Sequence, residues 1–170
     1  MSKLFGHGHI LQSLADGVKS HRLSHAYLFE GAEGIGKMTT VQRLSRLLMC
    51  KRGGDCGVCD DCLKLAAGSH PDFIVADEHF FQSDKSKPGS VEAMRMVRQD
   101  AYSKPFMGDW KLYVIPNADE MLAPAQNSLL KILEEPPSYC VFVLLCENAN
   151  KVLETVRSRS VLLRFLPLND

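Results

Sequence analysis

The chain has 170 residues, with 20 Lys+Arg against 20 Asp+Glu, so its formal net charge at pH 7 is zero. Hydrophobic residues at 45% and charged residues at 24% exclude a disordered or fibrous chain, and neutrality argues against a domain that grips nucleic acid by bulk charge alone. The longest apolar run, Cys140 to Cys146, falls far below the roughly 18 residues of a membrane helix, and Met1 to His7 shows no secretory pattern, so one soluble intracellular domain is expected.

In chain order, Ile10, Leu11, Leu14 and Val18 recur at helical spacing and predict an amphipathic helix over about residues 8–22. Ala26 to Phe29 reads as a short buried strand, ended by the glycine-rich stretch Gly31 to Gly36. Val41, Leu44, Leu47 and Leu48 mark a helix from about Lys37 into Cys50, and a second, short helix is expected between the cysteines and Gly68. Phe73 to Val75 is a strand and Asp77 to Gly89 a polar loop. Val91, Met94, Val97 and Ala101 give a helix opened by Ser90 as N-cap. Lys111 to Ile115 is a strand. A helix with Pro124 in its first turn follows and buries Leu129, Leu130 and Leu133. Val141 to Leu145 and Val161 to Leu163 complete the strands. Strands alternating with helices predict an α/β fold whose mostly parallel sheet is covered on both faces.

Four of the six cysteines, Cys50, Cys56, Cys59 and Cys62, fall within thirteen positions. In a cytosolic chain such a cluster points to a metal site before a disulfide framework. Four thiolates suit a closed tetrahedral zinc centre, which leaves no open position and so has a structural role. An iron–sulfur cluster and four unliganded thiols remain the alternatives, though a ferredoxin-type run places its fourth cysteine downstream rather than upstream. Cys140 and Cys146 read as buried strand residues.

Gly31-Ala32-Glu33-Gly34-Ile35-Gly36-Lys37-Met38 follows a strand and opens a helix, the setting of a phosphate-binding loop. Backbone N–H groups there cradle phosphate and the lysine reaches its outer oxygens, which makes Gly31, Gly34, Gly36, Lys37, Met38 and Thr39 the candidate nucleotide contacts. The hydroxyl that should follow the lysine to hold magnesium is replaced by Met38, and Thr39 stands one residue late, about 100° around the helix. The strand at Lys111 to Ile115 runs into Pro116-Asn117 where a magnesium-holding acid belongs, with Asp119 and Glu120 three to four residues late. Two independent defects predict a degenerate hydrolase site. A turn that binds no nucleotide is the alternative.

Five segments occur in a characteristic order. They are Leu23-Ser24-His25-Ala26-Tyr27-Leu28-Phe29, the four-cysteine insert, Ser69-His70-Pro71-Asp72, the run from Asn127 to Pro137, and Ser158-Arg159-Ser160. Together they resemble the N-terminal domain of the delta-prime family of bacterial DNA polymerase III clamp-loader subunits, over about Leu4 to Phe165. The resemblance implies a RecA-like AAA+ three-layer sandwich with a five-stranded sheet over residues 1–170 and a zinc module at about residues 50–62. It also implies a cytoplasmic, membrane-free role as the stationary, non-hydrolysing subunit of a pentamer that places a sliding clamp on primed DNA. The partners so implied are the gamma/tau motor and delta subunits, with the clamp contacted indirectly. The family's lid and collar domains are expected to be absent from this stretch, and the isolated domain is expected to be monomeric. Weak or absent ATP or ADP binding fits the same reading. In this family the tripeptide at Ser158-Arg159-Ser160 presents its arginine to ATP held by the neighbouring subunit, which makes Arg159 a trans-acting finger.

An active gamma/tau-type motor subunit is the alternative; it would need Thr39 and Asp119 to replace the missing groups. A small kinase with an incidental zinc knuckle is a further reading. His7, His9, His21 and His79 lack ligand spacing and are expected at the surface. Glu134 and Glu135 are expected to mark a helix end, Asn148 is a weak candidate phosphate sensor, and Trp110 is assigned to packing.

Overall fold

The computed structural model describes residues 7–81 and 86–167. The reading of the extreme N-terminus, and the middle of the loop expected at 77–89, therefore lie outside the described residues. Among the described residues five strands form one sheet: β1 (Ala26–Glu30), β2 (Phe73–Val75), β3 (Lys111–Ile115), β4 (Cys140–Cys146) and β5 (Val161–Arg164). Their order is β2-β3-β4-β1-β5, and every neighbouring pair is parallel, so the sheet is wholly rather than mostly parallel.

A parallel sheet must be roofed on both faces, and alternate side chains go to opposite roofs. In β4, Cys140, Phe142, Leu144 and Cys146 pack on α4 (Val91–Ala101) and α5 (Ala123–Glu134). Val141, Val143 and Leu145 pack on the other side against α1 (Gly8–Lys19) and α2 (Lys37–Met49). The result is a three-layer α/β sandwich in which β3 and β4 are buried at every residue. β5 is an edge strand, with Val161 and Leu162 exposed.

Local chemistry explains most element ends. Ser90 Oγ accepts the N–H of Ala93 at 3.1 Å and caps α4, and Pro124 occupies the first turn of α5. α1 stops at Lys19, short of the expected residue 22. His21 adopts φ 56°, and Arg22 N donates to Gly17 O at 2.9 Å, a left-handed exit that closes the helix early. α3 (Asp60–Ala67) follows the cysteines as expected. Two single-turn 3₁₀ helices, Ala118–Glu120 and Ala149–Lys151, and the four-residue α6 (Glu154–Arg157) carry too little periodicity to be legible in sequence.

His7 is not at the surface. It is buried at the start of α1, its ring 4.8 Å from that of Phe165 just beyond β5, and burial lowers its pKa, helped by nearby His9. His9, His21 and His79 are exposed, and Trp110 is half-buried against the α1–α2 side of the core.

Candidate functional site

The strand order changes direction beside β1, whose C-terminal end meets those of β4 and β5 in register: Glu30 stands opposite Cys146 and Arg164. Parallel sheets bind ligands at such ends. The glycine-rich loop sits there, between β1 and α2. Gly36 enters α2 at φ 110°, which favours glycine. A Cβ on Gly31 would lie 2.8 Å from the Phe165 carbonyl oxygen, so that glycine is required by packing against the chain beyond β5.

The loop opens onto a cavity of about 320 Å³, lined by Gly34, Gly36, Lys37, Met38 and Thr39 on one side and Pro116, Asn117, Glu120 and Glu147 on the other. The expected nucleotide contacts are thus brought together, apart from Gly31, which does not line the cavity. The chemistry of the wall is poor for a magnesium nucleotide. Lys37 Nζ donates to the carbonyls of Gly31 and Ala32, so the loop's one lysine is folded onto its own backbone. The Met38 thioether offers no hard oxygen. Asn117 turns the chain at φ 53°, and Asp119 Oδ2 accepts the N–H groups of Glu147 and Asn148 at 3.1 Å each, which commits it to joining the ends of β3 and β4. The Asn148 side chain accepts Asn150 N at 3.0 Å and caps the following turn rather than facing the cavity. Glu120 and Glu147 still bring carboxylates to the wall, but no hydroxyl directly follows Lys37 and no acid directly follows β3.

Cys50, Cys56, Cys59 and Cys62 do converge. Their Sγ atoms all lie within 4.8 Å of one another, and Cys56 and Cys62 are 3.9 Å apart, close to the ~3.8 Å edge of a tetrahedron with metal–sulfur bonds of about 2.3 Å. Cys59 N donates to Cys56 Sγ at 3.4 Å and Cys62 N to Cys59 Sγ at 3.5 Å, contacts that orient and stabilise thiolates. Burial pushes the Cys50 thiol up, but hydrogen bonds from the backbone N–H groups of Cys56, Arg52 and Gly54 outweigh it and bring it down to about 6. Burial pushes Cys62 up to about 12. The donor set is compatible with zinc. Cys140 and Cys146 are buried in β4, and burial raises each thiol to about 12, as befits inert core residues.

A buried polar chain that periodicity does not reveal ties this cluster to the sheet. Asp61, beside Cys62, is 2.8 Å from His70 Nε2 through Oδ1 and 3.7 Å from Lys51 Nζ through Oδ2. His70 Nδ1 accepts the N–H of Asp72, and Asp72 Oδ1 and Oδ2 accept those of Phe106 and Met107 at 2.7 and 2.8 Å. Because Nδ1 accepts, the proton sits on Nε2 and points at Asp61. Ser69-His70-Pro71-Asp72 was visible only as a motif; the fold shows it as a brace.

Arg159 follows α6 on the way to β5. Its Nη2 donates to Glu134 Oε1 at 2.7 Å, and its Nη1 to Thr155 O at 2.8 Å and Ser158 Oγ at 3.5 Å. The side chain keeps 33% of its surface exposed, whereas Arg157 Nε is buried without a hydrogen-bond partner among the described residues. Arg159 is the more exposed residue of the two. Glu134 closes α5 as expected and in addition takes hold of Arg159.

The three layers, the parallel strand order and the loop-to-helix turn define a three-layer α/β domain with a phosphate-loop-like turn. Residues 6–169 match the family described as DNA polymerase III, delta subunit, and the chain belongs to that family. It is 38% identical to the DNA polymerase III subunit delta' of Bacillus subtilis, over 94% of this chain and 47% of that one. It is 32% identical to the gamma/tau subunit of Mycobacterium tuberculosis, over 94% of this chain and 27% of that one. A gamma subunit-related protein of Thermotoga maritima superposes with a TM-score of 0.61 at 20% identity, covering 94% of this chain and 46% of that one. The chain thus spans less than half the length of these relatives. Among the described residues no helix is long and apolar enough to cross a membrane.

Proposed function

We propose that this chain is the N-terminal domain of a clamp-loader stator: a cytoplasmic delta-prime subunit that hydrolyses no ATP and completes the ATP site of a neighbouring gamma/tau motor subunit with Arg159. The partners in this reading are the motor and delta subunits, with the sliding clamp and primed DNA engaged through the assembled complex. The observation that carries the reading is the cavity wall, where Met38 and Pro116-Asn117 stand at the places of the magnesium-holding hydroxyl and acid. A motor subunit would need Thr39 and Asp119 in their stead, and Asp119 is occupied by two backbone N–H groups.

Arginine suits the trans role because a guanidinium stays charged and can meet two phosphoryl oxygens while negative charge builds on them. Zinc at the four cysteines would fasten the insert, and the spacing of the sulfurs supports a single ion over an iron–sulfur core. The test is Arg159→Ala in the full-length subunit assembled with wild-type motor subunits. The complex should form, while clamp- and DNA-stimulated ATPase drops by one site's share. Unchanged ATPase in an intact complex sinks the proposal.

A further inference from the structure

Arg159 meets Glu134 across 25 residues of sequence, at the C-terminal end of α5. That helix end is a favourable place for a cation even before the carboxylate is counted. A guanidinium has five N–H donors. The contacts to Glu134, Thr155 and Ser158 are made from Nη1 and Nη2, which leaves the Nε–H and one Nη2–H unused among the described residues. Two donors are what a bidentate grip on phosphate oxygens requires. Long side chains lose substantial rotamer freedom when fixed. An arginine already held at both terminal nitrogens loses less of it when a neighbour's nucleotide arrives.

We infer that Glu134 is a positioning residue for Arg159, fixing the guanidinium so that its remaining donors face the neighbouring subunit. This rests on the finger reading of Arg159 and adds the group that aims it. The opposite role, a carboxylate 2.7 Å from Nη2 competing with phosphate for the finger, is the alternative that the experiment below separates. The two roles differ in sign. Removing a positioning group slows the neighbour's chemical step, and removing a competitor speeds it. The pair is partly exposed, at 33% for Arg159 and 48% for Glu134, so the effect belongs in the range of solvent-screened ion pairs.

The experiment uses full-length subunits carrying Glu134→Gln, Arg159→Ala or both, each assembled with motor subunits, clamp and primed DNA. The portion of ATP turnover that Arg159→Ala removes defines the site served by this subunit. Glu134→Gln should leave assembly and the melting temperature unchanged. It should lower the kcat of that portion about two- to five-fold with the KM for ATP unmoved, because the contact matters to the transition state rather than to ATP binding. In the Arg159→Ala background it should do nothing further. An unchanged or raised kcat, or an equal fall without Arg159, overturns the positioning role while leaving the finger in place. If Arg159→Ala removes no turnover from an intact complex, the finger reading and this inference fail together.

Discussion

Replacing Asp72 with alanine should loosen the brace between the cysteine module and the sheet. The Asp72 residue is 1% exposed, and its two oxygens receive the N–H groups of Phe106 and Met107 at 2.7 and 2.8 Å. Hydrogen bonds to a charged acceptor contribute about 1.5–3 kcal/mol each, and orphaned donors add their own penalty, so ~3–5 kcal/mol is expected. For a domain of this size each kcal/mol moves Tm by roughly 2–4 °C, which gives a fall on the order of 6–20 °C. Thermal unfolding followed by circular dichroism measures the fall, and amide exchange locates it. Faster exchange should begin at Phe106 and Met107, because their donors are the ones released, with the centre of β4 affected least. Asp72→Asn should be milder, since its amide oxygen can still accept one of the two N–H groups. A Tm change under about 2 °C for Asp72→Ala, or exchange that rises uniformly through the sheet, would refute the reasoning.

Protein purified without chelator should carry about one zinc per chain, and Cys59→Ser should lose it together with the order of α3; elemental analysis showing iron or less than about half an equivalent of zinc counts against the site. Zinc affinity should weaken as pH falls. At pH 7 Cys50, at about 6, is largely thiolate, while Cys62, at about 12, must give up its proton to bind. That one proton alone makes the affinity fall on the order of tenfold per pH unit, measurable by competition with a chromogenic chelator at several pH values. No ATP hydrolysis above background is expected from this domain with magnesium, and turnover abolished by Lys37→Ala would restore the motor reading. Gly31→Ala should cost about 1–3 kcal/mol, because the new methyl group meets the Phe165 carbonyl oxygen at 2.8 Å; a Tm equal to that of the parent in a denaturation scan would contradict it.

Much of this protein is written locally. Apolar spacing gave the long helices and all five strands, because burial imposes a period of 3.6 on a helix and short, apolar runs on a strand roofed on both faces. The loop from Gly31 to Lys37 and the clustered cysteines were legible for the same reason: their partners lie within a few residues, so spacing alone states the geometry. His7 was misread because its partner, Phe165, is at the other end of the chain. No window around residue 7 contains the ring that buries it. The fate of Asp119 likewise turns on Glu147 and Asn148, which the sheet delivers from β4. Glu134 looked like a helix terminator and is one, but its hold on Arg159 exists only because β4 and α6 return the chain to the end of α5. The brace from Asp61 through His70 and Asp72 to Phe106 spans 45 residues for a similar reason. A hydrogen bond acts over about 3 Å of space, whatever the distance along the chain. Sequence therefore determined which groups are present and which elements carry them, and tertiary structure alone decided which of them meet.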